Sequence, residues 1–180
     1  LKVNEYKLDV AEEREVWIKN GELYKTEDYK AIWNISKDKL GCIASNQYNI
    51  IQHNDVVNSL TKALENLNIK FNSKLREDTH RIFMDVEFED AKIELKEVGE
   101  EFTCGMRLIN SYDKTTGLII VPMLKRLVCS NGMVMKVFSK GYAIRHNQKL
   151  VGDFEAIIER TLNEMINNSE NLKIMINKCI

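Results

Sequence analysis

From its first residues the chain places hydrophobic side chains at roughly every second position, in Val3, Tyr6, Leu8 and Val10, then in Val16-Trp17-Ile18 and Leu23-Tyr24 around Asn20-Gly21. A period near two puts alternate side chains on opposite faces of an extended strand. Asn-Gly between two such runs predicts a hairpin, because both residues tolerate the positive φ of a type I′ turn. A second hairpin is predicted from Tyr29 to Ser36, with Ile32, Trp33 and Ile35, turning at Lys37-Asp38-Lys39 and returning over Leu40 to Ala44. The period then changes. Val56, Val57, Leu60, Ala63, Leu64 and Leu67 recur at helical spacing behind Asn54, a plausible cap, and predict one helix over about 54–68 whose apolar stripe packs on a sheet.

Alternation resumes in Ile69, Phe71, Ser73 and Leu75 and again in Ile82, Met84, Val86 and Phe88, an antiparallel pair. Residues 91–101 fit either a short strand or a connection. Phe102 to Ser111 and Leu118 to Val128 form two further arms around a polar loop ending in Gly117. Pro122 has no N–H to give a ladder, so its arm should lie at an edge or carry a bulge there. Beyond Asp153, Phe154, Ile157, Ile158, Leu162, Met165 and Ile166 share one helical face, and a short second helix follows over Leu172 to Ile176. The expected class is α+β: antiparallel hairpins forming a curved sheet, one central helix packed on it, and C-terminal helices. Residues 1–152 would be the α+β domain and 153–180 a helical element, docked or used in oligomerisation.

Composition narrows the class. The 180 residues carry 26 Lys+Arg against 27 Asp+Glu, with 44% hydrophobic residues, eight Gly and one Pro, as in a folded globular chain. Cys42, Cys104, Cys129 and Cys179 are far apart and form no CxxC pair, against dense disulfides or a zinc knuckle. No run reaches the ~18 apolar residues that span a bilayer, so a soluble, cytoplasmic protein without membrane contact is expected.

The net charge of −1 conceals two opposed blocks. Residues 77–101 hold ten acids against three bases, and residues 102–152 hold eight bases against Asp113 alone. The two blocks can pair across strands of one sheet or between subunits. Alternatively the basic block lines a groove for single-stranded nucleic acid, through Arg107, Lys114, Lys125, Arg126, Lys136, Lys140 and Arg145, with Tyr112, Phe138 and Tyr142 available for stacking. Head-to-tail packing of acidic and basic edges would build a ring.

Enzymatic signatures are sparse. His53, His80 and His146 show no metal-ligand spacing, and no phosphate loop, dinucleotide turn or nucleophile elbow occurs. No metal or cofactor is expected. Cys129 with His146 is the best nucleophile–imidazole pair by position. The paired carboxylates Glu12-Glu13 and Glu100-Glu101 read as a solvated face.

The box Asn110-Ser111-Tyr112-Asp113, followed by Arg126-Leu127-Val128-Cys129-Ser130-Asn131-Gly132, resembles the core of a phage- and plasmid-associated domain of unknown function, DUF932. Tyr48 to Asn54 looks like that family's element leading into its helix, and the resemblance spans roughly residues 30–150. The family's usual Gly-Ser after the Asp is replaced here by Lys114-Thr115-Thr116-Gly117. Its setting implies DNA metabolism or host takeover and no defined reaction. The order of elements is also compatible with Rad52-like single-strand annealing proteins, an analogy of fold alone. Physically, Asn110, Ser111 and Asp113 can close a turn, and Asn131-Gly132 can supply positive φ at another. The expected function is thus a non-enzymatic, oligomeric single-stranded DNA binder acting in recombination or annealing. A protein-interaction module and an enzyme on Cys129/His146 are its alternatives.

Overall fold

A computed structural model describes residues 7–95, 100–126, 134–135, 141–146, 156–157, 159–160 and 163 of the chain. Among the described residues, two antiparallel sheets and helix α1 make up the α+β architecture, with further helical residues between 156 and 163. The first sheet has strands β1 (Ala11–Asn20), β2 (Glu22–Asn34) and β3 (Lys39–Ser45) in sequence order. Helix α1 (His53–Asn66) follows. The second sheet runs β4 (Phe71–Glu77), β5 (Arg81–Leu95), β6 (Glu100–Ser111), β7 (Leu118–Arg126), β8 (Val134–Met135), with β9 (Tyr142–Ile144) also on β7.

The β1–β2 hairpin forms as its pattern predicts, but its turn is tighter than a type I′ turn. Asn20 faces Glu22 directly, and the left-handed conformation falls on Gly21 alone, at φ +80°. The strand expected from Val3 begins at Ala11, and the residues before Lys7 lie outside those described. The 91–101 ambiguity resolves into two pieces, since β5 runs on to Leu95 and β6 opens at Glu100. Pro122 faces Met106 of β6 on one side. On β7's other side β9 pairs with Leu118 to Ile120 and β8 with Leu124 and Lys125, so the described ladders skip the residue that has no N–H.

Alternation on β5 is complete: Ile82, Met84, Val86 and Phe88 are buried, and the residues between them are half-buried. These four meet Val56, Val57, Leu60 and Leu64 of α1, together with Met106, Leu108, Leu118 and Ile120, in the main core. A smaller cluster of Ala11, Ile32, Ala44 and Tyr112 joins the two sheets. There Gly41 comes so close to β6 that a Cβ would lie 2.6 Å from the Tyr112 carbonyl oxygen.

The helix start differs from the expected Asn54 cap. Gln52 is the N-cap residue, yet its side chain makes no cap bond; its amide bonds the N–H and C=O of Ala11 instead. Residues 156, 157, 159, 160 and 163 are helical, and Ile157 packs on the main core. The rest of the expected C-terminal helices lies outside the described residues. Among the described residues no helix is long and apolar enough to cross a membrane.

Candidate functional site

Along β6 the buried parity carries Met106, Leu108, then Asn110, and this polar residue at a core position organises a closed centre. Asn110 is fully buried and satisfies three groups at once. Its Nδ2 donates to the Ile51 carbonyl at 2.8 Å and lies 3.0 Å from His53 Nδ1. Its Oδ1 accepts from His146 Nε2 at 3.0 Å. The Ile51 bond fixes which end of the amide faces which histidine, so the tautomers follow: His53 carries its proton on Nε2, and His146 on Nε2 as well.

Tyr112 sits beside them. Its ring stacks on His53 at 3.8 Å between centroids, and its hydroxyl accepts from the His53 backbone N–H at 2.9 Å. That N–H belongs to the first turn of α1, so a tyrosine 59 positions later supplies the capping acceptor that Gln52 does not. The same hydroxyl lies 3.1 Å from the Asp9 carbonyl and 3.0 Å from Gln52 Oε1. Tyr48 leans on His146 with ring centroids 4.9 Å apart. Burial lowers His53 to about 3 and His146 to about 4, so both imidazoles are neutral.

A second polar cluster pins the N-terminal segment to both sheets. Asn34 Nδ2 donates to Asp9 Oδ2 at 2.9 Å and to the Thr79 carbonyl at 2.8 Å, while Lys37 Nζ lies 2.8 Å from Asp9 Oδ2. The Asp9 N–H in turn donates to Glu77 Oε1 at 3.0 Å.

The expected nucleic-acid residues are dispersed by this fold. Arg107 faces Asp85 across β6 and β5 and donates Nε to Oδ1 at 2.5 Å and Nη2 to Oδ2 at 2.7 Å. Lys125 of β7 reaches Glu87 of β5 at 2.5 Å. At these two pairs the acidic and basic blocks neutralise each other within one sheet. Lys114, in left-handed conformation at φ 62°, donates Nζ to the Ile43 carbonyl at 3.2 Å and ties the β6–β7 loop to β3. Arg145 is exposed after β9, Tyr142 is half-buried within it, and Arg126 ends β7.

Tyr112 is the correction. With no exposed surface and one ring face on His53, it offers no stacking surface to a base. Lys136, Phe138, Lys140, Asn131, Gly132 and Cys129 lie outside the described residues. Ser111 and Asp113 bond within the β6–β7 loop: Ser111 Oγ donates to the Thr116 carbonyl at 2.7 Å, and Asp113 Oδ1 accepts from the Thr115 N–H at 3.0 Å. Asn110 does not; it turns inward to the histidines.

The face of the second sheet opposite α1 brings together what the chain separates. Cross-strand neighbours form one row of Arg76, Phe83, Ile109 and Ile119, and beside it a row of Lys74, Asp85, Arg107 and Val121. The guanidinium carbons of Arg76 and Arg81 stand 5.5 and 5.9 Å from the centre of the half-buried Phe83 ring. Sequence reading passed over Phe83, Arg76 and Arg81; the signal was their shared outward parity on β4 and β5.

Among the described residues no group of three or more His, Cys, Asp or Glu is placed to hold a metal ion. The thiol of Cys104 is half-buried, and burial alone pushes it up to about 11. The model of a family described as domain of unknown function (DUF932) matches residues 41–178. The chain belongs to the DUF932 family. The DUF932 match begins at Gly41, within β3, so it includes the rest of β3, α1 and the second sheet and leaves β1 and β2 outside it. No curated protein and no solved structure matches the chain.

Proposed function

We propose that this DUF932 protein is a non-enzymatic binder of single-stranded nucleic acid, DNA foremost, serving a mobile element in recombination or annealing and acting as an oligomer. The observation that carries the reading is the Arg76–Phe83–Arg81 group on the sheet face opposite α1, a half-buried π-surface beside two guanidinium groups, of which that of Arg81 is also ion-paired with Asp78 at 2.9 Å. Bases of any sequence stack on such a ring while guanidinium groups meet phosphates, which gives affinity without sequence readout. Arg145 and the basic segment that follows β7 would extend the same track, with the sheet curved around the strand and the C-terminal helices docked on its other side.

The closed His53–Asn110–His146 centre supports a structural role over a catalytic one. Asn110, His53 and His146 are 0%, 1% and 4% exposed, and a substrate would have to displace packed side chains to reach them.

Fluorescence anisotropy with an unstructured labelled oligonucleotide tests the proposal. Phe83→Ala and Arg76→Ala are expected to weaken binding roughly threefold to tenfold each, and affinity should fall steeply between about 50 and 200 mM salt. No binding at about 50 mM salt overturns it.

A second reading, a protein-interaction module, is favoured by the exposed Trp17, Ile18, Leu23 and Tyr24 of the β1–β2 hairpin. It predicts a protein complex that forms without oligonucleotide.

A further inference from the structure

β3 pairs only with residues 29–34 of β2, so the β1–β2 hairpin continues past the first sheet as a ribbon of two strands. Residues 17–25 are all exposed. Trp17 is 53%, Leu23 63% and Tyr24 48% exposed, on both faces of the ribbon. Two strands alone are marginal in water, and an apolar cluster of this kind on a projecting element marks a covered surface. Beyond β1 no strand is paired among the described residues, so its outer backbone N–H and C=O groups form an open edge.

We propose that this edge is covered by the same edge of a second copy, β1 against β1 in antiparallel fashion, about a two-fold axis at Trp17. Charge along the strand selects the occupant and the register. With the axis at Trp17, Glu15 lies opposite Lys19 of the second copy, Val16 opposite Ile18, and Trp17 opposite Trp17. Two Glu15–Lys19 contacts then flank an apolar centre, and each Glu15, which already holds Lys25 of its own ribbon at 2.6 Å, is shared between two lysines. Moving the axis to Val16 sets Glu15 against Trp17 and Arg14 against Ile18, and moving it to Ile18 sets Trp17 against Lys19 and Val16 against Asn20. The Val16-centred register still pairs Glu13 with Lys19, but only the Trp17-centred one sets Glu15 opposite Lys19 and every residue of Val16, Trp17 and Ile18 opposite an apolar partner. Within each ribbon Tyr24 faces Ile18 and Lys25 faces Trp17, so the four-stranded unit gains two symmetry-related apolar stripes, each of Tyr24, Ile18 and the other copy's Val16. The contact is isologous and closes as a dimer.

This inference rests on the self-association in the proposed function and needs no nucleic acid. It is tested by light scattering after size-exclusion chromatography of the full chain without oligonucleotide, over about 1 to 100 μM. The expected mass is twice the 20.9 kDa of one chain. Trp17→Asp should give monomer. Glu15→Lys and Lys19→Glu should each weaken the dimer roughly tenfold, and the two together should restore it. Because Glu15 and residues 17–25 are exposed and absent from the main core, and an exposed ion pair such as Glu15–Lys25 adds little stability, far-ultraviolet circular dichroism should be unchanged in all variants. A monomeric parent at about 100 μM, a self-association untouched by Trp17→Asp, or a double swap no better than the singles overturns it. Oligonucleotide binding in the Trp17→Asp monomer separates this outcome from that of the nucleic-acid proposal.

Discussion

Asn110 Oδ1 accepts a hydrogen bond from His146 Nε2 at 3.0 Å, and through this one contact the segment after β9 is tied to the end of β6 inside the core. Asn110→Ala removes that acceptor and leaves the Ile51 carbonyl and His53 Nδ1 without their donor. Each of the three stranded buried groups costs about 1 to 3 kcal/mol, so a loss of at least about 3 kcal/mol is expected in urea unfolding. Asn110→Asp keeps the acceptor but removes the donor, and should be no better tolerated.

Stability should fall on mild acidification. The folded chain holds His53 at about 3 and His146 at about 4, burial being the main cause, below the 6.5 of an exposed histidine. Below about pH 6.5 the unfolded chain therefore takes up protons that the folded chain refuses, and the stabilisation present above 6.5 is lost progressively toward 4 and 3. From about pH 7.5 to 5.5 each histidine should account for about 1.4 kcal/mol. Urea midpoints measured across that range check this, and His146→Gln should flatten the slope by about half.

The Asp85–Arg107 pair separates charge from structure on the sheet face opposite α1. Both side chains are mostly buried, so Arg107→Leu leaves Asp85 without its partner and should destabilise by about 1 to 3 kcal/mol. Since Asp85 already neutralises Arg107, the same change should alter oligonucleotide affinity little. Asp85→Asn should release Arg107 and raise affinity roughly threefold to tenfold at low salt, the size of one added phosphate contact. Anisotropy and thermal melting of both variants give the comparison.

Gly105 is the tightest crossing of β6 and β5. A Cβ there would overlap the Val86 carbonyl oxygen and press the terminal methyl of Met123. Backbone on one strand cannot yield to backbone on the next without shifting register, so Gly105→Ala is expected to lower stability by more than about 2 kcal/mol. Gly21→Ala, in open space at φ +80°, should cost about 1 kcal/mol through strain alone. Thermal denaturation of the two variants distinguishes overlap from strain.

Much of the architecture was legible in the chain because it depends on local period. The β1–β2 and β2–β3 hairpins, α1, the β4–β5 pair and the β6–β7 arms each follow from alternation or helical spacing between turn residues. The family boxes were legible as a pattern of residue types, and the opposed charge blocks as a choice between pairing and display. The capping of α1 was misplaced because Asn54 sits one residue inside a helix whose first N–H is met by Tyr112, and no local rule anticipates an acceptor 59 residues away.

Sequence by itself determined which segments are strands, where they turn, and which side chains share a face, since those follow from bond geometry and neighbours a few residues apart. It held two hints of the centre that were not taken up: Asn110 on the buried parity of β6, and His53 at the head of the apolar stripe of α1. Tertiary structure alone decided what those faces meet. It placed His53, Asn110 and His146 in one closed centre, set Arg107 on Asp85 and Lys125 on Glu87, and gathered Arg76, Arg81 and Phe83 on the sheet face opposite α1. Strand register makes those choices, because a slip of one residue would send every such side chain to the opposite face.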